Sequence, residues 1–328
     1  MLEVKNLYVS LQTKKGKNIP LVKNLSYNLG EGQTLAIVGE SGCGKTMQAL
    51  AIMGLLPPNI KVTHGEILFE GKNILELSQK ERRNLNGKEI ALVFQDALTS
   101  LNPVLTIGKH LTETLICRQK LSKQEAENQA KTLLKQVELP ESLMNSYPHQ
   151  ISGGQRQRVM LALALSLNPK LLIADEPTTA LDENTQKQIL TLIKKLQKIY
   201  KTAVIFITHD LMLAKEIADK IFVLYSGTKF EEASAKELFE KSLHPYTYGL
   251  MRSIITRETP KGKPLFEIYN NLHRGVPKFI GCPFKNRCTK CSKVCFKFLP
   301  PLEELSPKHY CACFWAKSMN GTRGQNAK

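Results

Sequence analysis

Apolar and polar residues alternate at the start of the chain, with Leu2 and Val4, then Leu7, Val9 and Leu11, in the apolar positions. A period of two predicts a half-buried strand, and the phase slip at Lys5-Asn6 predicts a bulge. A polar turn over Thr13–Asn18 and the apolar-rich Leu21–Leu29 extend this to an antiparallel hairpin. Beyond it the pattern changes. Thr34–Val38, Lys170–Asp175, Thr202–Thr208 and Ile221–Tyr225 are short, nearly continuous apolar runs. Strands buried on both faces read this way. Helical patterns fall between them: Met47–Leu56, ended by Pro57-Pro58; amphipathic helices with charged linkers over 107–138; and a helix over 153–167. Strands alternating with helices predict an α/β chain around a parallel sheet. No internal repeat is visible.

With 328 residues the chain is long enough for about two domains and a sizeable core. No run approaches the roughly 18 apolar residues that cross a bilayer; the longest, Val159–Leu167, contains a Ser. The first ten residues, MLEVKNLYVS, lack the basic and apolar regions of a signal peptide. The expectation is a cytoplasmic protein that reaches a membrane only through partners. Charge is unevenly placed. The formal net charge is +17, and residues 241–328 hold 16 Lys+Arg against 4 Glu. Six of the eight Cys lie between Cys282 and Cys313, which in a cytosolic setting points to metal binding or redox chemistry before disulfides. A boundary near residue 240 follows, with a basic, Cys-rich extension after it.

The chemistry begins at Gly39, Glu40, Ser41, Gly42, Cys43, Gly44, Lys45 and Thr46, which satisfy GxxxxGK[ST] between an apolar strand and a helix. Such a loop turns its backbone N–H groups around phosphates, and the helix N-terminus adds favourable partial charge. Lys45 reaches the terminal phosphates in this motif, and the Thr46 hydroxyl takes Mg²⁺. Cys43 offers its backbone N–H, its side chain being incidental. Asp175 and Glu176 end an apolar strand at the same sheet edge. Asp175 is placed to hold Mg²⁺, and Glu176 to act as general base on an attacking water.

Ser152, Gly153, Gly154 and Gln155 open a helix, with Gln155 21 residues before Glu176. With the motifs in this order, residues 1 to about 230 resemble the ATP-binding subunits of ABC transporters. The resemblance implies a P-loop NTPase of ABC type: a mixed sheet with a RecA-like core, an antiparallel β subdomain and a helical subdomain over about 100–165. It implies ATP and Mg²⁺ as ligands. It makes Gln95 the Q-loop residue that senses Mg²⁺ and the permease, Asp182 the D-loop residue, and His209 the switch histidine near the γ-phosphate. In the family two chains pair head-to-tail, so Ser152, Gly153, Gly154, Gln155 and Asp182 serve the partner's ATP. An aromatic residue usually stacks on adenine; here that position is Leu11, with Tyr8 on the other side of the alternation.

Two strings narrow the resemblance. Gln95–Val104 is similar to the Q-loop of oligopeptide, dipeptide and nickel importers, and His244-Pro245-Tyr246-Thr247 looks like the element opening their C-terminal extension. The implied layout is an ATP-binding domain over 1–240, the extension over 241–317 and a disordered tail over 318–328. Related extensions carry Cys-x5-Cys-x6-Cys and a later Cys, matched by Cys282, Cys288, Cys295 and Cys313. In several members these resemble a [4Fe–4S] ligand set. Four thiolates suit iron–sulfur or tetrahedral Zn²⁺; with a single Cys-x2-Cys knuckle, Cys288–Cys291, iron–sulfur is favoured. Cys291 and Cys311 are extra to the pattern. The implied partners are two permease subunits, a second identical or homologous ATPase subunit and an extracytoplasmic substrate-binding protein, with this chain peripheral on the cytoplasmic face of the inner membrane. The rival reading is a soluble ABC ATPase on nucleic acid or ribosomes, which would use the basic tail on phosphates. Such proteins generally carry two cores or a long coiled-coil insertion. Only 119 residues follow His209, so direct nucleic-acid contact is not expected, and the basic excess is read as a solvated face or one lying near anionic lipid.

Overall fold

In the computed structural model, residues 1–94, 100–179, 181–254, 268 and 280–318 are described. Gln95 and the expected tail from 319 onward lie outside them.

The two hydrophobic patterns build two sheets. Strands β1 (Leu2–Gln12), β2 (Asn18–Leu29), β4 (Ile60–Phe69) and β5 (Lys72–Asn73) form an antiparallel sheet in the order β2-β1-β4-β5. The slip at Lys5-Asn6 is a register shift between Val4 and Leu7, with Asn6 at φ 46°. Strand β4 was not legible as such in the sequence: Thr63, His64 and Gly65 interrupt its alternation. The second sheet runs β11 (Glu303–Ser306), β12 (His309–Cys311), β10 (Thr228–Ser234), β9 (Lys220–Tyr225), β3 (Thr34–Val38), β8 (Ala203–Thr208), β7 (Leu171–Asp175), β6 (Ile90–Val93). Its five strands from β9 to β6 are parallel and its β10–β12–β11 edge antiparallel.

Residues in β3, β7 and β8 are buried on both faces, and alternate positions enter different cores. Leu35, Ile37, Ile173, Ile205 and Ile207 face the antiparallel sheet. Leu172, Ala174, Val204 and Phe206 pack with the helical region, whose helices Ile107–Gln119, Lys123–Gln136 and Gly153–Leu165 bury Leu111, Leu115, Ala130, Leu134 and Leu161. A third core joins Ala36, Val38, Ile221 and Val223 to Phe230, Tyr246, Cys282 and Phe284. The extension therefore shares a core with the parallel sheet, and its hairpin β11–β12 continues that sheet through Glu231–Cys311 and Glu232–Tyr310 pairing.

The seam is polar as well as apolar. Glu231 is fully buried and accepts from Leu243 N–H (2.6 Å), His244 N–H (2.9 Å) and the ring Nε2 of His309 (2.7 Å). His244 caps the helix Pro245–Arg252 by accepting from Tyr246 N–H (3.0 Å) and stacks on Phe230. Burial holds its pKa down to about 3, so it remains a neutral acceptor.

Candidate nucleotide site

The parallel strands set the site. The loop 39–44 leaves β3 and feeds the helix Lys45–Met53, Asp175 and Glu176 end and follow β7, and His209 follows β8. Adjacent parallel strands thus carry three groups of chemistry to one carboxyl edge. Close backbone approach explains Gly39: a Cβ there would lie 2.2 Å from the Leu224 carbonyl and 2.8 Å from the Cys43 sulfur.

Lys45 is buried, its Nζ donating to the carbonyls of Gly39 (2.8 Å) and Glu40 (3.1 Å) and lying 4.0 Å from the Glu176 carboxylate. Glu176 also accepts from the Thr179 hydroxyl at 3.1 Å and meets Nδ1 of His209 at 3.2 Å. Its φ of 48° is the left-handed conformation that costs a non-glycine residue energy and recurs where side-chain placement matters. Asp175 is 5% exposed. Burial raises its carboxyl pKa, a hydrogen bond from Thr46 opposes that, the Glu176 charge raises it further and the Lys45 charge lowers it. Its Oδ1 has no hydrogen-bond partner among the described residues. A buried carboxylate that bonds the loop threonine and keeps one oxygen unpartnered is chemistry that fits a divalent cation. Lys45, Asp175, Glu176 and His209 come together; Gln95 lies outside the described residues.

Ser152 lies elsewhere. It is the N-cap of the helix Gly153–Leu165, with Gln155 N–H bonding its hydroxyl (3.2 Å) and Gln155 Oε1 accepting its N–H (2.9 Å). Asp182 caps the helix Glu183–Tyr200 by accepting from Thr185 N–H and its hydroxyl. The two caps abut: a Cβ on Gly154 would sit 2.6 Å from Thr185 Cγ2. Leu11 is half-buried, and Tyr8 stacks edgewise on His64.

The extension reaches the phosphate loop, a placement nothing in the sequence signalled. Arg287 Nη1 donates to the Glu40 carboxylate (2.8 Å) and the Tyr225 hydroxyl (3.2 Å), and the Tyr246 hydroxyl accepts Glu40 N–H (3.2 Å). The HPYT string announced Tyr246. Arg287 carried no motif.

Cys282, Cys288, Cys295 and Cys313 gather close enough for each thiol to affect another's ionisation. Burial chiefly, and neighbouring thiols after it, push Cys282 up to about 12 and Cys288 up to about 11. The donor set is right in number and kind for a thiolate centre. Among the described residues, however, no three His, Cys, Asp or Glu side chains stand together closely enough to hold a metal. Cys311 is 1% exposed within β12.

A phosphate loop, a strand-end acid pair and a capped Ser-Gly-Gly helix on this two-sheet frame define an ATP-binding cassette of ABC type. Comparison with known proteins agrees. The ABC transporter family model matches residues 22–179, and the model for the oligopeptide/dipeptide transporter C-terminal region matches 230–295. The chain is 45% identical over 318 residues to the oligopeptide transport ATP-binding protein OppD of Bacillus subtilis, covering 94% of this chain and 87% of the relative. It is 42% identical to the dipeptide transport ATP-binding protein DppD of the same organism, covering 96% and 94%. The dimeric post-hydrolysis structure of the ATP-binding cassette MJ0796 bound to ADP and Pi superposes with a TM-score of 0.65 at 33% identity, over 72% of this chain and 99% of that one. The chain belongs to the family of oligopeptide and dipeptide ABC transporter ATP-binding proteins, and it is an ATPase of that kind. No helix among the described residues is long and apolar enough to cross a membrane.

Proposed function

We propose that this chain hydrolyses ATP to power peptide uptake. It works on the cytoplasmic face of the inner membrane, bound to two permease subunits and paired with a second ATPase subunit. An extracytoplasmic binding protein supplies the peptide. The observation that carries the reading is the meeting of Lys45, Asp175, Glu176 and His209 at one sheet edge in a chain whose 230–295 region matches peptide transporters. The relatives' names favour peptides over nickel.

In this reading the loop N–H groups take the phosphates and Lys45 exchanges its two carbonyl partners for the terminal phosphates. Thr46 and Asp175 hold the Mg²⁺ that arrives with the nucleotide, and Gln95 senses it. Glu176 accepts a proton from water as the water oxygen attacks the γ-phosphorus and ADP leaves; His209, bonded to Glu176, keeps the carboxylate aimed. Ser152, Gly153, Gly154, Gln155 and Asp182 complete the partner's site. Residues 1–240 form the ATP-binding domain and 241–317 its extension. Cys282, Cys288, Cys295 and Cys313 would close together around a [4Fe–4S] cluster, with Zn²⁺ the alternative. Such a centre would staple the extension as folding free energy.

Membranes carrying the subunit with its permeases should hydrolyse ATP faster when a peptide-loaded binding protein is added. Stimulation by nickel-loaded protein alone would replace the substrate, and hydrolysis indifferent to the permeases would remove the transport role.

A further inference from the structure

We infer that the Cys-rich extension braces the phosphate loop, with Arg287 and Tyr246 acting as positioning residues for ATP binding. The inference rests on the nucleotide site proposed above and adds a structural control of that site from outside the catalytic core.

Both contacts fall on one loop residue. Arg287 ends the single helical turn Lys285–Arg287 and directs its guanidinium, 7% exposed, at the Glu40 carboxylate. It lies 5.7 Å from the Tyr225 ring centroid and 5.9 Å from that of Phe284. Tyr246, fully buried in the helix Pro245–Arg252, packs against Tyr225 (4.7 Å) and Phe284 (5.3 Å) and takes the Glu40 N–H. Glu40 is thus held by its side chain from residue 287 and by its main chain from residue 246.

Gly39 and Glu40 are also the residues whose carbonyls hold the Lys45 ammonium. Their positions therefore fix both where Lys45 starts and how the following N–H groups are presented to a phosphate. Charge-assisted bonds to a largely desolvated arginine are strong enough to matter. A loop left free to sample other conformations binds with lower apparent affinity, in proportion to the fraction of competent conformer. The coupling must be reciprocal: if the extension tightens ATP binding, ATP tightens the extension.

The test is titration of the full chain with a fluorescent ATP analogue, with ATPase kinetics alongside. Arg287→Met should weaken binding about fivefold or more, the lower bound for a coupling of this kind. Glu40→Gln should do the same, and the double variant should be no weaker than the worse single one. Turnover of Arg287→Met at saturating ATP should stay within about twofold of wild type. Tyr246→Phe should weaken binding, and Arg287→Lys should recover part of the loss. Arg287→Met binding within twofold of wild type, with the extension still protease-resistant, overturns the brace. If that variant loses the extension's fold, Glu40→Gln decides alone, and unchanged affinity there overturns it. Amide exchange gives the reciprocal reading: ATP should slow exchange over 281–296 in wild type and not in Arg287→Met, and no slowing in wild type overturns the proposal. Wild type that binds no ATP would remove the nucleotide site itself, an outcome distinct from all of these.

Discussion

Replacing Glu176 by Gln tests the centre of the site, and its expected outcome can be worked from the geometry. The side chain is 12% exposed and its carboxylate contacts Thr179 (3.1 Å), His209 (3.2 Å) and, more distantly, Lys45 (4.0 Å). Gln has the same shape and keeps one oxygen for the Thr179 hydroxyl, so the fold should be undisturbed. What disappears is the ability to take a proton. Losing a general base costs on the order of 10²- to 10⁴-fold in turnover, or about 3–5.5 kcal/mol of barrier. ATP affinity should hold or increase, because Lys45 loses a competing negative charge. Phosphate release at saturating Mg-ATP reads the first effect, equilibrium nucleotide binding the second, and an ATP-dependent dimer on gel filtration the accumulation of unhydrolysed complex. Turnover within a few-fold of wild type would refute the base assignment. A parallel loss of ATP binding would mean that Glu176 acts in the ground state.

Ser152→Arg removes the cap on Gln155 N–H, worth about 1 kcal/mol, and places a cation against the positive end of the helix; hydrolysis should stop while ATP binding at the same chain's Lys45 persists, as nucleotide titration would show. Gly154→Ala places a Cβ 2.6 Å from Thr185 and should destabilise the chain by roughly 1–3 kcal/mol, read as a lower denaturation midpoint. Anaerobically purified protein should be brown with about four irons per chain, and Ser in place of Cys282, Cys288, Cys295 or Cys313 should bleach it while Cys291→Ser and Cys311→Ser should not; colourless protein with one zinc would select the other metal. The His309 pKa is raised above 6.5: burial opposes this, but its bond to Glu231 and the nearby charge of Glu237 prevail. Its contribution to docking of β12 is therefore complete below pH 6.5 and fades as the pH climbs through the higher folded value, a loss that His309→Gln should abolish in thermal melts against pH.

The parallel strands and the loop chemistry were legible because each depended on local order. Continuous apolarity marks a strand buried on both faces, and the loop 39–44, the acids Asp175 and Glu176, and His209 each end or follow such a strand. The seam with the extension was not legible. Glu231 reads as an ordinary charged residue beside Glu232, yet it is buried because three donors, two of them 12 and 13 residues away and the third 78, converge on it. The bond from Arg287 to Glu40 spans 247 residues. Neither Glu231 nor Arg287 carries any periodic or motif signal, since only tertiary closure creates these contacts. The hairpin β11–β12 escaped for a related reason: Glu303–Ser306 and His309–Cys311 are too short and too polar to alternate visibly.

That hairpin has a consequence for how the protein is made. β10 is finished once residue 234 has been synthesised, but its outer partner β12 begins only at residue 309. For some seventy residues of translation, β10 offers an unpaired edge to its surroundings, and Glu231 lacks the histidine that faces it. Exposed edges of this kind recruit other nascent strands. Chains that stop short of His309 should consequently fail as aggregates rather than as soluble, weakly active cassettes, even though every ATP-binding motif would already be present in them.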